Sequence, residues 1–449
     1  MPLVRAFRGT GYALSRFATP SIAPRVRLAD EQDTAVGRQV ADLTDMVCPP
    51  YDIISPELQA ALLARDPHNA VRLELSAQAD PHAAAAASLA AWMADGTLER
   101  QPTPSVFYYR HARPGAPDDP TVQGVLARVL LEPFGADVRA HEHTFAGPKA
   151  DRLALLRATR TQLSPILAIY FDRTERYRHV MGRPWTDEWR ARDRDGLLHM
   201  LAAIEPDDRL TGYLARQRLF IADGHHRYET ALAYQAEVRD TPRFAGAPHG
   251  ALAADWVMMV LVNAEAEELE IRPTHRLLLD VDPESMEALG LDPGPPWQAI
   301  PVAPAELGAR LVELRDESEP IFGLVLPGGR GFLLVGDPDA IADRMHRERI
   351  GPAVRELDLA ILHTAILGDR LGIDAGSVAA EDRVAYTRDE AEAVEAVARG
   401  AAQAAILVRP TKLEQLAAVA NAGEVMPHKS TYFYPKLLTG MVFHSLEGE

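Results

Sequence analysis

Five consecutive residues, Asp223-Gly224-His225-His226-Arg227, set a carboxylate, two imidazoles and a guanidinium around one glycine. The apolar residues before them, Leu219 to Ala222, read as a short buried strand, and a helical pattern runs on from about His226 to Glu237. A strand that feeds straight into a helix leaves the first N–H groups of that helix without intrahelical partners. That end also carries partial positive charge. The chemistry such a junction serves is the docking of a phosphate or carboxylate.

Four other segments carry reactive side chains. Asp52 follows Cys48-Pro49-Pro50-Tyr51, between a strand end and a helix that Ser55 caps and Pro56 opens. It is either an Asx-turn carboxylate or a general base or cation ligand. His141-Glu142-His143 precedes a Gly147-Pro148-Lys149 turn. On a strand, His141 and His143 would share one face, as a metal pair requires, and with His225 and His226 could form a four-imidazole site. The His-Glu-x-x-His helical spacing is absent, so a phosphate or substrate pocket of His141, Glu142 and Lys149 is the preferred reading. Pro273-Thr274-His275-Arg276 follows another buried strand and is read as a substrate contact or a capping turn. Near the end, Lys429-Ser430-Thr431 and Lys436 supply ammonium and hydroxyl donors suited to phosphate. The chain has 47 basic residues, and only Lys149, Lys412, Lys429 and Lys436 are lysines. Three of those four fall in these segments, where a compact, rotatable charge is useful.

The elements that must position these groups alternate between strand and helix. Residues 105–110, 123–131, 166–171 and 251–263 read as strands, residues 81–99 and 151–161 as helices, and 184–202 as a charged surface helix. FRGTGY, Phe7–Tyr12, lacks the context of a nucleotide-binding glycine loop. Residues 281–335 contain a helix and two strands rich in proline and glycine turns. Asp358–Gly372 reads as an amphipathic helix with His363 in the core, and residues 384–408 as a β-α-β unit with parallel pairing. The class is mixed α/β (α+β). We expect an α/β core over 1–278, an insertion or subdomain over 279–350, and a C-terminal α/β part over 351–449 that returns to the site.

A 449-residue chain can bury a large core, and its net charge of −17 argues against general binding to nucleic acid. One cysteine, Cys48, excludes an internal disulfide and a multi-cysteine zinc site, and fits a reducing compartment. No apolar run reaches membrane-spanning length, and the N-terminus lacks the apolar core of a signal peptide. The expected setting is the cytoplasm, with a small-molecule substrate and neither nucleic-acid nor membrane partner. The oligomeric state stays open, a homo-oligomer included.

Cys48–Asp52, His141-Glu142 with Gly147–Lys149, Ile221–Tyr228, Pro273–Arg276 and Lys429–Lys436 occur in one order that resembles the bacterial DUF1015 family over nearly the full chain. The Asp-Gly-His-His-Arg segment is also similar to that of the archaeal free-serine kinases, of ParB/sulfiredoxin-like fold. That resemblance implies ATP- or ADP-dependent phosphorylation of free L-serine to O-phosphoserine, for cysteine biosynthesis. It puts nucleotide phosphates on Asp223–Arg227 and the base on an earlier carboxylate, with Asp52 the first choice and Glu142 the second. In this reading Gly224, His226, Arg227, Lys149, Lys429, Ser430, Thr431 and Lys436 bind phosphate or nucleotide. Asp223 holds Mg²⁺ and joins Asp52, Glu142, His225 and His226 in catalysis, while His141, His275 and Arg276 contact substrate. The rival readings are a metal-dependent hydrolase built on the histidines and a nucleotide-binding ParB-like regulatory module.

Overall fold

The computed structural model describes residues 2–21, 38–116, 119–142, 144, 146–174, 187–380 and 382–447. The chain divides into two compact units. Unit 1 comprises Met1–Ala140, Thr144–Leu269 and Pro435–Glu449, and unit 2 comprises His141–His143 and Glu270–Tyr434. Both are mixtures of sheet and helix, so the mixed α/β class holds.

The core of unit 1 grows from β-branched and aromatic runs. Its elements are β1 (Val106–Ala112), β2 (Pro120–Leu130), α1 (Ala146–Thr159), β3 (Ile166–Tyr170), β4 (Asp187–Arg192), β5 (Leu198–Ile204), β6 (Leu219–Asp223), α2 (His225–Arg239) and β7 (Trp256–Asn263). Among the described residues the sheet runs Ala18–Ser21, Arg38–Asp42, β4, β5, β1, β2, β7, β3, β6, Val138–Arg139. Every residue of β7 is buried, as in a strand covered on both faces. Its close pairing with β2 depends on Gly124, where a Cβ would meet Leu261 O at 2.7 Å. β3 lies parallel to β7 and antiparallel to β6.

Residues 187–202, expected as part of a surface helix, are the antiparallel pair β4 and β5. In β4, Trp189 and Ala191 are buried, and the buried Glu188 beside them pairs with Arg190 and Arg110, while β5 is buried along nearly its whole length. The charges that suggested a solvated helix neutralise one another inside the sheet. Gly147-Pro148-Lys149, expected as a turn, lies within the first turn of α1. Proline is tolerated there because first-turn N–H groups have no intrahelical partner.

Unit 2 holds β8 (His275–Leu278), β9 (Trp297–Pro301), β10 (Ile321–Leu326), β11 (Arg330–Gly336), β12 (Val384–Thr387), α3 (Glu390–Ala398) and β13 (Ala404–Leu407). Among the described residues its larger sheet has six strands in the order β9-β11-β10-β13-β8-β12, with every neighbouring pair antiparallel. Residues 279–350 and 384–407 thus share one sheet, and the former does not stand apart as an insertion. β12 and β13 do point the same way, but β8 sits between them, so the expected parallel pairing does not occur. Asp358–Ile361 is α-helical and continues as a π-helix over Leu362–Gly368, so the expected amphipathic helix widens at His363.

Candidate functional site

In unit 1 the Asp223–Arg227 junction is built as its sequence suggested. β6 ends at Asp223, Gly224 turns in the left-handed region at φ 97°, and α2 starts at His225. Tyr228 N donates to Gly224 O at 3.0 Å and closes the first turn. The register of β6 against β3 shifts between Leu167, opposite Asp223, and Ala168, opposite Ile221. That bulge lies at the carboxylate and re-aims it. A Cβ on Gly224 would lie 3.0 Å from the Arg227 guanidinium, and its φ disfavours any L side chain. Tyr228 anchors the helix: its ring stacks on Phe134 at 4.8 Å and its hydroxyl donates to Glu132 O at 2.8 Å.

Asp223 is gripped by two cations. Arg227 donates to Oδ2 at 2.5 Å, and Lys436 donates to Oδ1. Burial alone would raise its pKa, but Lys436 and Arg227 outweigh burial and hold the carboxyl well below the usual range. Arg227 is further fixed by Pro165 O, which accepts from its Nη1 at 2.5 Å. Lys436 arrives on a terminal segment that bridges Cys48 through Thr439 and Thr10 through Phe443. Gly440 lets that segment pass, since a Cβ there would meet the Ala70 Cβ at 2.8 Å. His225 is buried beside this triad, and His226 is half-buried.

The cleft next to α2 holds groups that the sequence reading overlooked. Glu74, Arg152, Arg227, Thr230 and several leucines line it. Glu74 is almost fully buried, and burial pushes its carboxyl up despite Arg152 and Arg227. Arg152 binds Asp151 Oδ2 at 2.5 Å, approaches Glu74 Oε1 at 3.4 Å, and lies 4.3 Å over the Tyr51 ring. Burial and then Asp52 push the Tyr51 hydroxyl up to about 12, partly offset by Arg227 and Arg152. The exposed Asp52 thus shares an electrostatic neighbourhood with Arg227. Thr230 Oγ1 is buried with no hydrogen-bond partner. Glu74 was detectable as an acid enclosed by Leu73 and Leu75 in an apolar run, whereas no local signal marks Arg152.

Lys149 does not stand alone. Its Nζ donates to Glu229 Oε2 at 2.6 Å, and Thr144 Oγ1 donates to the same oxygen at 2.7 Å. Burial works against ionisation of Glu229, but Lys149 and Thr144 outweigh it and lower the pKa. Glu229 lies one turn after His226 on α2, so it extends the motif by two residues past Arg227.

The other expected site residues lie in unit 2. His141 Nε2 and Thr431 Oγ1 are 3.0 Å apart, and Glu142 Oε1 is 4.0 Å from His428 Nδ1. His143 lies outside the described residues. Ser430 donates its hydroxyl to Pro427 O at 2.6 Å, and Lys429 has a left-handed φ of 57°. His275 Nδ1 accepts from Val408 N at 3.2 Å, and burial, then Arg276, lowers its pKa to about 4. Arg276 is fully buried and donates to Thr274 O, to His428 O at 3.2 Å and to Lys429 O at 3.4 Å. Among the described residues, no group of three or more His, Cys, Asp or Glu side chains is arranged to hold a metal ion. No helix among them is long and apolar enough to cross a membrane.

The site and fold define a two-unit mixed α/β protein with an ion-paired strand–glycine–helix junction. The model of the protein family of unknown function DUF1015 matches residues 33–360, and the chain belongs to that family. No curated protein matches the sequence significantly. Among solved structures, a free serine kinase in complex with AMP is similar at 14% identity and TM-score 0.34, over 66% of this chain and 83% of that one. A conserved hypothetical protein from Pyrococcus furiosus reaches 13% identity and TM-score 0.35, over 69% and 93%. C-terminally truncated SbnI from Staphylococcus aureus gives 13% and 0.35, over 72% and 90%.

Proposed function

We propose that the protein is a nucleotide-dependent phosphotransferase acting on a small hydroxyl-bearing molecule, with free L-serine the first acceptor to test. The observation that carries this is the bulged strand end, left-handed Gly224 and α2 start, with Arg227 held in place beside them. Phosphoryl transfer asks mainly for positioning and charge neutralisation, and this junction supplies both. The residues suit the phosphates of ATP or ADP: a Cβ at Gly224 would crowd Arg227, and Thr230 Oγ1 in the adjoining cleft has unused capacity.

In this reading the α2 start and Arg227 hold the phosphates, and Asp223 orients Arg227 and Lys436 rather than touching substrate. Mg²⁺ when bound supplies further neutralisation of phosphate oxygens. Asp223 was the expected ligand, yet both its oxygens are engaged by cations, so the exposed Asp52 suits the ion better. Asp52 is also the first choice to take the acceptor's hydroxyl proton. Lys149 serves through Glu229, and His226 faces the same carboxylate.

The test is incubation with ATP or ADP, Mg²⁺ and a panel of free hydroxyl-bearing amino acids, followed by ³¹P NMR. A new phosphomonoester signal with serine is the expected outcome. Absence of any phosphorylated product across the panel would sink the reading.

A further inference from the structure

Unit 2 buries a positive charge without supplying its counter-charge. Arg276 is 0% exposed, and among the described residues no carboxylate lies within ion-pairing distance of it. Its acceptors are the carbonyls of Thr274, His428 and Lys429, the last two at 3.2 and 3.4 Å, near the outer limit for such a bond. Its Nε is buried with no partner. The Tyr386 ring lies 5.4 Å away, and a cation–π contact is worth roughly 0.5–2 kcal/mol. Removing an ion from water costs several kcal/mol even after relaxation. Carbonyls and one ring therefore leave the guanidinium under-compensated.

The groups around it deepen the imbalance. His363 Nε2 lies 3.5 Å from the Arg276 guanidinium, on the π-helical stretch Leu362–Gly368, a backbone form frequent at functional sites. Burial, then Arg276 and His428, lower the His363 pKa to about 3. His428 stands edge-on to Tyr386 at 5.9 Å, and Lys429 follows it with φ 57°. The carboxylate recorded at this edge, Glu142, is 4.0 Å from His428. His428 and Glu142 side chains are 16% and 26% exposed, so an incoming group meets His428 before Arg276.

We propose that the Arg276–His363–His428 cluster is an oxyanion-binding site that takes a carboxylate or phosphate group of a small molecule. The anion supplies the missing charge, accepts from Arg276 and His428, and favours the protonated form of His363. This site does not depend on phosphoryl transfer in unit 1, because anion binding is read without nucleotide or turnover.

The experiment is a titration of the full chain, ¹⁵N-labelled at histidine, with inorganic phosphate and separately with acetate at constant ionic strength. The expected result is a saturable shift of the His363 and His428 ring signals toward imidazolium with at least one anion. Phosphate alone, acetate alone, or both would each support the site and name its chemistry. His428→Gln should bind about ten-fold more weakly, as for one lost charge-assisted hydrogen bond, read on the His363 signal. Arg276→Lys, checked for folding by circular dichroism, should weaken binding while keeping the charge, because the planar fork is lost. Ring signals that move with neither anion would overturn the proposal. So would shifts of unchanged midpoint in both folded variants.

Discussion

The Asp223–Arg227 junction of unit 1 and the Arg276 site of unit 2 compensate their cations in opposite ways. In unit 1 each cation of the motif has a carboxylate: Lys436 and Arg227 share Asp223, Lys149 has Glu229, and Arg152 has Asp151 with Glu74 nearby. In unit 2 Arg276 has carbonyl oxygens and an aromatic face. A charge-balanced cluster is held ready in one geometry. An unbalanced one is stable only at a cost that a ligand can relieve. The difference separates groups that position from groups that wait for a partner.

The largest expected break of that contrast is Asp223→Ala. It removes the carboxylate that the buried Lys436 and Arg227 share, and should destabilise unit 1 by about 3–5 kcal/mol while abolishing nucleotide binding. Urea unfolding and calorimetric titration with ADP would check both. Adding Lys436→Met should recover part of the stability, because the double variant removes a stranded charge. Strictly additive losses would show that the two side chains do not act as a pair.

Next in size, Gly224→Ala forces an alanine to φ 97° against Arg227. We expect a loss of about 1–2 kcal/mol and weaker nucleotide affinity. A variant with wild-type melting and binding would refute the role given to this turn. Acid should act in two stages. The buried His275 and His363 of unit 2, lowered to about 4 and 3, and the buried His111 and His444 of unit 1, each lowered to about 3, make both units begin to lose stability as pH falls from roughly 6.5. Asp223 and Glu229 have lowered pKa values, so their stabilisation is complete above the unfolded carboxylate range and fades only as pH falls below roughly 4. Urea unfolding at pH 7, 5 and 4 would detect a loss already at pH 5, and unchanged stability down to pH 5 would contradict it. The smallest effect belongs to Lys149→Ala. Its pair with Glu229 is about one-third exposed, so the change should cost roughly 0–1 kcal/mol by thermal melt.

Much of this was legible in the chain. β6, β7 and the α2 start follow from apolar runs punctuated by Gly224, since local pattern and tertiary role agree there. Residues 187–202 misled because buried ion pairs in a sheet look like a solvated helix face until the partner, Arg110, is known. The site residues split the same way. Asp223 and Arg227 announce themselves by spacing, and rare lysines pointed to Lys436. Arg152 could not be found, because its meaning depends on Tyr51 and Glu74, which lie far earlier in the chain. Arg276 was flagged, but the lack of a carboxylate around it belongs to the three-dimensional neighbourhood and is written in no motif.

The terminal segment that carries Lys436 also sets a timetable. During synthesis, residues 270–434 are made before the segment of unit 1 that carries Lys436 exists. Until residue 436 emerges, Asp223 and Arg227 face each other without their third member, and Cys48 and Thr10 lack their bridges to Thr439 and Phe443. The Asp223–Arg227–Lys436 triad is therefore completed only after the whole of unit 2 has been synthesised. Stalled or clipped chains would carry a folded unit 2 beside an incomplete unit 1, a form that pulse proteolysis of chains ending at residue 434 should reveal as selectively cleavable.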